Sequence, residues 1–163
     1  MFSVYLGYII ELDEQSEMAQ IETGKSNIRI TKDVFDFRQK IDFYEDNIPN
    51  DELLKWEKMK QQGLLAFSNT MQGLYNNIKS LHSIKQGVRY KRNGKIFIVL
   101  GNQPNEIAKL QSFIWENADG KKTLDEIFIM ADKQGILHAS NSIRDFVESV
   151  AGLVRVGILF LKY

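Results

Sequence analysis

Few side chains in this sequence have the types and spacing that catalysis or metal binding requires. His82 and His138 lie far apart and neither has a second histidine at ligand spacing, so we expect structural or solvent-exposed roles for both. The sequence has no GxSxG motif, no P-loop and no glycine-rich dinucleotide turn. Cysteine is absent, which excludes disulfides, thiol chemistry and cysteine-based zinc sites. We therefore expect no catalytic residue, no metal site and no cofactor, and a binding protein rather than an enzyme.

Acidic pairs occur where helices are expected to begin, and the helix dipole explains them without catalysis. Asp51-Glu52 and Asp125-Glu126 each open an apolar helical pattern, and carboxylates are favoured at helix N-termini. Thr123 precedes Glu126 by three residues, which is the spacing of a capping box. These carboxylates are therefore expected to start helices rather than to transfer protons.

Four cations surround the Asn93-Gly94 dipeptide, which a tight I′ hairpin turn prefers: Arg89, Lys91, Arg92 and Lys95. On a winged helix this hairpin could contact DNA phosphates, and a solubilised hairpin tip is the alternative. The candidate recognition helix, residues 142–156, is mostly apolar and has only Arg144 and Arg155 as cations. A helix in the major groove normally presents Arg, Lys, Asn or Gln to the bases. We therefore expect no nucleic-acid partner, and a winged-helix DNA-binding regulator remains an alternative.

The composition is typical of a soluble folded protein with one ordinary domain or two small ones. Of the 163 residues, 44% are hydrophobic and 26% are charged, and the net charge is zero, whereas chains that bind nucleic acid usually have excess Lys and Arg. No apolar run approaches the roughly 18 residues of a membrane span. The first residues lack the features of a signal peptide. We expect a cytoplasmic protein without membrane contact.

Periodicity predicts strands and helices in both halves of the chain. Three short strands precede a helix over residues 33–41, for which Thr31 is the candidate N-cap. A helix over residues 50–62 ends at Gly63 and is followed by a short apolar strand.

In the second half, residues 88–100 predict a hairpin and residues 105–117 a helix. Two further helices are expected, one that is capped by Thr123 and ends at Gly135, and one that ends at Gly157 before a last strand.

A helix, a glycine and an apolar strand occur twice, since Gly63 corresponds to Gly157 and Leu64 to Ile158. The predicted fold class is therefore α+β, with tandem winged-helix-like units that each have a small antiparallel sheet and two or three helices. The predicted boundaries are 1–67 for a degenerate N-terminal unit, 68–87 for a helical connector and 88–163 for the second unit. One continuous α+β domain with two similar helix exits is the alternative.

Two stretches, LQSFIWENADGKKTLDEIF and SIRDFVESVAGLVRVGILFL, resemble the PqqD-like winged helices, which are also known as RiPP recognition elements. The first part of the family pattern is matched by Trp115, Asp119, Gly120, Lys122, Thr123, Glu126 and Ile127. The second part is matched by Asp145, Phe146, Leu153, Gly157, Ile158 and Leu159. The resemblance covers residues 88–163, and the first half lacks the Asp-Gly hinge.

The resemblance implies a domain that binds the leader segment of a ribosomally made precursor peptide and presents it to a peptide-modifying enzyme in natural-product biosynthesis. The leader would add as a strand to an exposed sheet edge and place apolar side chains in a groove beside the last helix. The expected edge strand consists of Lys95, Ile96, Phe97, Ile98, Val99 and Leu100. The expected groove is lined by Phe146, Val147, Val150 and Val154. A homodimer and a scaffold subunit of a larger complex remain open alternatives.

Overall fold

The computed structural model describes residues 1–13, 15–46 and 48–163, apart from the side chain of Gln39. Glu14, which the sequence places in a polar turn over residues 14–17, lies outside the described residues. Within them the fold is α+β, with helices and several small antiparallel sheets. None of the described helices has the length and apolar character that crossing a membrane requires.

The first half of the chain consists of a three-stranded meander, two helices and a two-stranded sheet. Its elements are, in order, β1 (Phe2–Tyr5), β2 (Tyr8–Asp13), β3 (Met18–Glu22), β4 (Asn27–Thr31), α1 (Lys32–Lys40), α2 (Asn50–Gln61) and β5 (Leu65–Ser68). Strands β2, β3 and β4 pair antiparallel in that order, and β1 pairs antiparallel with β5. An isolated bridge joins Phe2 of β1 to Tyr44 as well.

The second half follows helix α3 (Met71–Ile78) and is built from six strands and three helices. Its elements are β6 (His82–Lys85), β7 (Val88–Arg92), β8 (Lys95–Leu100), β9 (Gln103–Ile107), α4 (Lys109–Asn117), β10 (Asp119–Thr123), α5 (Leu124–Lys133), α6 (Ser142–Arg155) and β11 (Leu159–Lys162). Strands β7, β8 and β9 form a second meander, and β6 lies between β10 and β11.

The two halves repeat one order of elements. A single strand, a three-stranded meander, a helix, a bridge back to the single strand, a long helix and a last strand occur in this order in both, and the second half has one additional helix, α5, before the long helix. Thus β1 corresponds to β6, β2–β4 to β7–β9, α1 to α4, α2 to α6, and β5 to β11. Gly63 and Gly157 follow the long helices with φ of 72° and 75°, so the sequence correspondence between them extends to backbone conformation.

In each half, a glycine allows the backbone before the meander to approach a carbonyl oxygen of the meander closely. Gly7 follows β1 and Gly87 follows β6, with φ of 86° and 91°. A Cβ on Gly7 would lie 2.9 Å from the carbonyl oxygen of Glu22, and one on Gly87 would lie 2.6 Å from that of Val99. No side chain fits at either position. The glycine before each meander therefore lies directly against the backbone of that meander's middle strand.

The larger hydrophobic core spans both halves of the chain. Val4 and Ala66, from the β1–β5 sheet, belong to the same cluster of buried residues as the apolar faces of α3 and α6. The backbone N–H of Gly7 also donates to the carbonyl oxygen of Leu161 at 2.7 Å. Helices α3 and α6 therefore cover the first sheet, while a smaller core around Trp56 fills the interior of the first half.

Several strands differ from the sequence expectation, among them β6, β9 and β10. Strand β6 lies within the segment 68–87, which was expected to be a helical connector, and it is the central strand of its sheet. Strand β9 occupies the start of the segment 105–117 that predicts a helix, and α4 begins only at Lys109. Strand β9 is hard to predict from the sequence because Pro104 is unfavourable in most strands. Proline is nevertheless tolerated on an edge strand, which is where β9 lies.

The predicted turns and caps are mostly confirmed. Thr123 Oγ1 accepts a hydrogen bond from the N–H of Glu126, whose carboxylate accepts one from the N–H of Thr123, so the capping box is formed. Asn93 and Gly94 have φ of 51° and 78°, as a I′ turn requires. Thr31 stands at the N-cap of α1, but its side chain makes no capping hydrogen bond.

Candidate functional site

Strand β8, which was expected to be an open edge, is the central strand of its sheet. It pairs antiparallel with β7 on one side and with β9 on the other, so that Ile98 lies opposite both Arg89 and Asn105. Both rows of its backbone groups are occupied, and no further strand can add to it. The prediction that residues 95–100 offer an open edge is therefore wrong, because it depended on a helix where β9 lies.

The side chains of β8 pack in the core or against neighbouring strands. Three of them face the core: Ile96, Ile98 and Leu100. On the opposite face the ring of Phe97 stacks on that of Tyr90, with 5.1 Å between the centroids, and Val99 is half-buried. Lys95 Nζ forms an ion pair with a carboxylate oxygen of Glu106 at 2.9 Å. The strand thus contributes to the sheet and the core.

The α6 residues that were expected to line a groove belong to the core. Phe146, Val147 and Val150 are 0% exposed. Val154 is half-buried and faces the first half of the chain, where it borders a hollow of only about 20 Å³ beside Phe43. A space of that size holds about one water molecule. The prediction of a groove along these four residues is therefore wrong as well.

Strand β9 is the outer edge of the second meander, and its backbone is poorly suited to pair with an added strand. Leu100 and Gln103 are the paired residues that close a two-residue turn, so they form a hydrogen-bonded pair. The next pair, Val99 with Pro104, is then of the non-hydrogen-bonded kind. The nitrogen of Pro104 therefore points to the open edge and carries no hydrogen.

The space between β9 and α6 is also partly filled. The side chain of Gln111 lies over Gly152 of α6, and its Oε1 accepts a hydrogen bond from the N–H of Ala108 at 2.9 Å. A hollow of about 590 Å³ does occur beside α6, but it lies against the start of α4 and no residue of β9 lines it. Its charged lining is mixed, with Lys109 opposite Asp145 and Glu148.

A groove of about 350 Å³ lies at the corresponding place in the first half, between β4 and α1 on one side and α2 on the other. It is lined by Arg29, Ile30, Thr31, Asp33, Val34, Phe37, Lys55, Lys58, Met59 and Gln62. Ile30 and Met59 are buried at its base, and Val34 and Phe37 are half-buried. Its volume is in the range of pockets that bind ligands.

Strand β4 is the edge of its sheet, and it has free backbone groups beside this groove. Hydrogen bonding alternates along an antiparallel pair of strands. The N–H of Lys32 donates to the carbonyl oxygen of Glu17 on the β3 side at 2.8 Å, so the even-numbered positions of β4 bond to β3. The N–H groups of Asn27, Arg29 and Thr31 therefore point to the open edge.

The charged side chains around the groove are mainly cations. Arg29, Lys55 and Lys58 lie at its rim, together with one carboxylate, that of Asp33. Lys55 Nζ lies 5.0 Å from the centroid of the Phe37 ring, which is a cation–π distance. Within the described residues, none of the three cations takes part in an ion pair. The rim is therefore positively charged and available to an anionic ligand.

Two patterns in the sequence are consistent with this groove. Residues 27–31 alternate between polar and apolar side chains, which is typical of a strand with one solvated face. Lys55 and Lys58 stand one helical turn apart in the helix that follows. Neither pattern shows that β4 is an edge strand, because that depends on how the strands pair.

Most cations that a DNA-binding winged helix would use are engaged within the protein. Three ion pairs with N–O distances of 2.7–2.9 Å bind them to carboxylates: Arg89 with Glu116, Arg144 with Glu148 and Arg155 with Asp42. Each guanidinium would have to leave its carboxylate to contact a phosphate. Lys91 and Arg92 are exposed beside the hairpin turn, and they are too few to define a nucleic-acid surface.

Two tyrosines with raised pKa values make hydrogen bonds that hold elements of the fold together. Burial raises the pKa of Tyr5 to about 12, and its hydroxyl donates to the carbonyl oxygen of Ile41. Burial also raises the pKa of Tyr75, whose hydroxyl donates to Asp125 at 2.5 Å and so joins α3 to α5. In the part of the chain that the structure describes, no cluster of three His, Asp or Glu side chains could hold a metal ion.

Comparisons of the chain with protein-family models, with curated proteins and with solved structures find no match. Of the places described above, the groove at β4 and α2 combines an open strand edge, an apolar base and unpaired cations.

Proposed function

We propose that this protein is a non-catalytic peptide-binding protein, which recognises the leader segment of a ribosomally made precursor peptide and presents it to a modifying enzyme. It would consist of two winged-helix-like units in tandem, residues 1–67 and a second unit that begins at β6 rather than at residue 88, and the second unit resembles the PqqD-like domains. The single observation that supports the proposal is the open edge of β4 beside an apolar groove. The peptide site is accordingly proposed in the first unit, at β4 and α2, and not at β8 and α6.

Strand addition explains how such a site would hold an unfolded segment. An extended peptide would accept hydrogen bonds from the outward N–H groups of Asn27, Arg29 and Thr31, and these bonds supply affinity without regard to sequence. Alternate side chains of an added strand point to one face. Those on the inner face would enter the groove and contact Ile30 and Val34, which would supply the sequence preference.

The second unit would have a supporting role in this arrangement. Helix α6 packs against α3, α4, β1 and β11, with Phe146 and Val150 fully buried. Together with α3 it covers the β1–β5 sheet of the first unit. The corresponding edge of the second unit lacks one donor at Pro104, and Gln111 fills the space beside it. The two units would therefore have different tasks despite their common order of elements.

Proline substitutions at matched edge positions test the proposal. Arg29→Pro removes one outward N–H from β4 and leaves its pairing with β3 intact, because proline is tolerated where the N–H faces an open edge. Arg29→Ala removes the same charge but keeps the N–H. Glu106→Pro is the matched control, since Glu106 occupies the corresponding outward position of β9. The probe is a twelve-residue peptide selected from a random-sequence display library on the unmodified protein, and binding is measured by fluorescence anisotropy.

The proposal expects Arg29→Pro to weaken binding about tenfold more than Arg29→Ala, because a hydrogen bond is lost and the ring obstructs the incoming strand. Glu106→Pro should leave binding unchanged. Circular dichroism of each variant shows whether the fold is retained. Failure to select any peptide would refute the proposal, and loss of binding only in Glu106→Pro would place the site on β9 instead.

A further inference from the structure

We infer that the ligand of the β4–α2 groove is an acidic extended peptide segment, in which apolar side chains alternate with carboxylates. This inference rests on the proposed function and adds the chemical class of the ligand to it.

The cations at the rim are in excess over the carboxylates that line the groove. Arg29, Lys55 and Lys58 line the groove with one carboxylate, that of Asp33, and none of the three cations is ion-paired within residues 1–13, 15–46 and 48–163. Arg29 also lies near Glu11 and Asp13, and after the hydrogen bonds from Ser16 it helps to lower the pKa of Asp13. Within the described residues, Lys55 and Lys58 are therefore the two rim cations without a carboxylate outside the groove lining. Elsewhere in the described structure, arginines such as Arg89 and Arg155 are paired with carboxylates. Cations that are left together and unpaired beside a groove repel each other, and a bound carboxylate would relieve that repulsion.

The charge of the rim is opposite to that of its surroundings. The first half of the chain contains more acidic than basic side chains. The hollow beside α6 in the second half has Asp145 and Glu148 against Lys109. At the position of α6 that corresponds to Lys55 the chain has Ser149, and at the position that corresponds to Lys58 it has Gly152. The two lysines are therefore a property of this groove and not of the repeat.

The apolar base determines the pattern of the ligand. Ile30 and Met59 are buried beneath the groove, and Val34 and Phe37 are partly exposed to it. In an added strand, every second side chain would face this base, and the intervening side chains would lie beside the exposed side chain of Arg29. Lys55 and Lys58 have long stems that reach carboxylates from the α2 side of the groove. Alternation of apolar and acidic residues satisfies both sets of contacts.

Three fluorescently labelled ten-residue peptides on the full chain test the inference. All three have leucine at alternate positions, and the intervening residues are glutamate in the first, glutamine in the second and lysine in the third. Anisotropy at low and at high salt gives the affinity of each. Exposed ion pairs contribute little individually, so we expect the glutamate peptide to bind about tenfold more tightly than the glutamine peptide at low salt. The lysine peptide should bind most weakly.

Charge reversal on the protein distinguishes the groove from a general field effect. The double variant Lys55→Glu with Lys58→Glu should reverse the order of the three peptides. The matched control is Lys91→Glu with Arg92→Glu, which makes the same change of charge at the exposed β7–β8 turn and should leave the order unchanged.

The possible outcomes separate this inference from the proposed function. Equal binding of all three peptides, still sensitive to Arg29→Pro, would overturn the acidic ligand and leave strand addition in place. Absence of binding by every peptide at millimolar concentration would overturn both. An order that reverses in the Lys91/Arg92 control would show that overall charge, and not the groove, selects the peptide, and would overturn the inference.

Discussion

Arg38 in α1 and Trp115 in α4 make the same hydrogen bond, one in each half of the protein. Each is the seventh residue of a nine-residue helix. A side-chain N–H of Arg38 donates to the carbonyl oxygen of Leu6 at 3.0 Å, and Nε1 of Trp115 donates to that of Gln86 at 2.9 Å. Both acceptors immediately precede the glycine that starts a meander. A guanidinium and an indole thus serve one structural requirement, which is to satisfy a backbone carbonyl at the junction of strand, meander and helix.

This correspondence predicts that tryptophan can replace Arg38 while alanine cannot. Burial lowers the pKa of Arg38 to about 10, which reflects the cost of placing a charge without a carboxylate partner in the interior. Arg38→Ala leaves the Leu6 carbonyl unpaired and should reduce the free energy of unfolding by about 2–3 kcal/mol. Arg38→Trp keeps a donor and removes the charge, so the reduction should be below about 1 kcal/mol. Urea unfolding measures both, and equal losses would contradict the correspondence.

The glycine after each single strand should tolerate no side chain. Gly87→Ala would place a Cβ 2.6 Å from the backbone oxygen of Val99, in addition to the cost of a positive φ. We expect a loss of about 2–5 kcal/mol in the free energy of unfolding. Gly94→Ala is the control, because Gly94 also has a positive φ but no atom lies within 4 Å of the new Cβ. It should lose only about 1–2 kcal/mol. Equal losses in the two variants would show that no steric clash exists at Gly87.

Much of the fold could be predicted from sequence because its elements are specified locally. The Thr123–Glu126 capping box, the Asn93-Gly94 turn and the helix-ending glycines depend on residues close in the chain. The correspondence of Gly63 with Gly157 was visible for the same reason. Strand β9 was not predicted because Pro104 weakens the strand pattern, although it is compatible with an edge position.

The site could not be predicted because it depends on which strand lies at an edge. Ile98 and Val150 are each flanked by apolar residues in the sequence. Such a pattern is expected both for residues that line a groove and for residues in a core. Only the pairing of β8 on both sides shows that Ile98 is internal. The sequence expectation places the site in the second half, whereas the open edge with an apolar groove and unpaired cations lies in the first.

Two threonines at helix N-caps should differ in their contribution to stability. Thr123 accepts a hydrogen bond from the N–H of Glu126, and Thr31 at the start of α1 caps no N–H group. Thr123→Ala should therefore lower the free energy of unfolding by about 1 kcal/mol, and Thr31→Ala by only a few tenths. Chemical denaturation of the two variants under one condition makes the comparison. A larger loss in Thr31→Ala would indicate that its side chain has another role at the edge of β4.

The Asp119 turn should make part of the stability dependent on pH. The side chain of Lys122 and the backbone N–H groups of Lys121 and Lys122 donate to the Asp119 carboxylate, and together they hold its pKa well below the ordinary value of 3.8. A carboxyl group whose pKa is lower in the folded than in the unfolded protein stabilises the fold above the unfolded pKa. That contribution is lost as the pH falls, in this case from about pH 4 downward.

Asp119→Asn tests this dependence, because asparagine keeps the shape of the side chain and cannot ionise. We expect the variant to unfold at lower urea concentration than the unmodified protein at pH 7, and the difference between them to shrink as the pH is lowered from 4 to 2. The direction follows from the sign of the shift, since protonation of Asp119 removes the charge that the donors of residues 121 and 122 stabilise. Midpoints that differ by the same amount at pH 7 and at pH 2 would mean that the charge of Asp119 contributes nothing, and that the Asp-Gly turn is held by its backbone conformation alone.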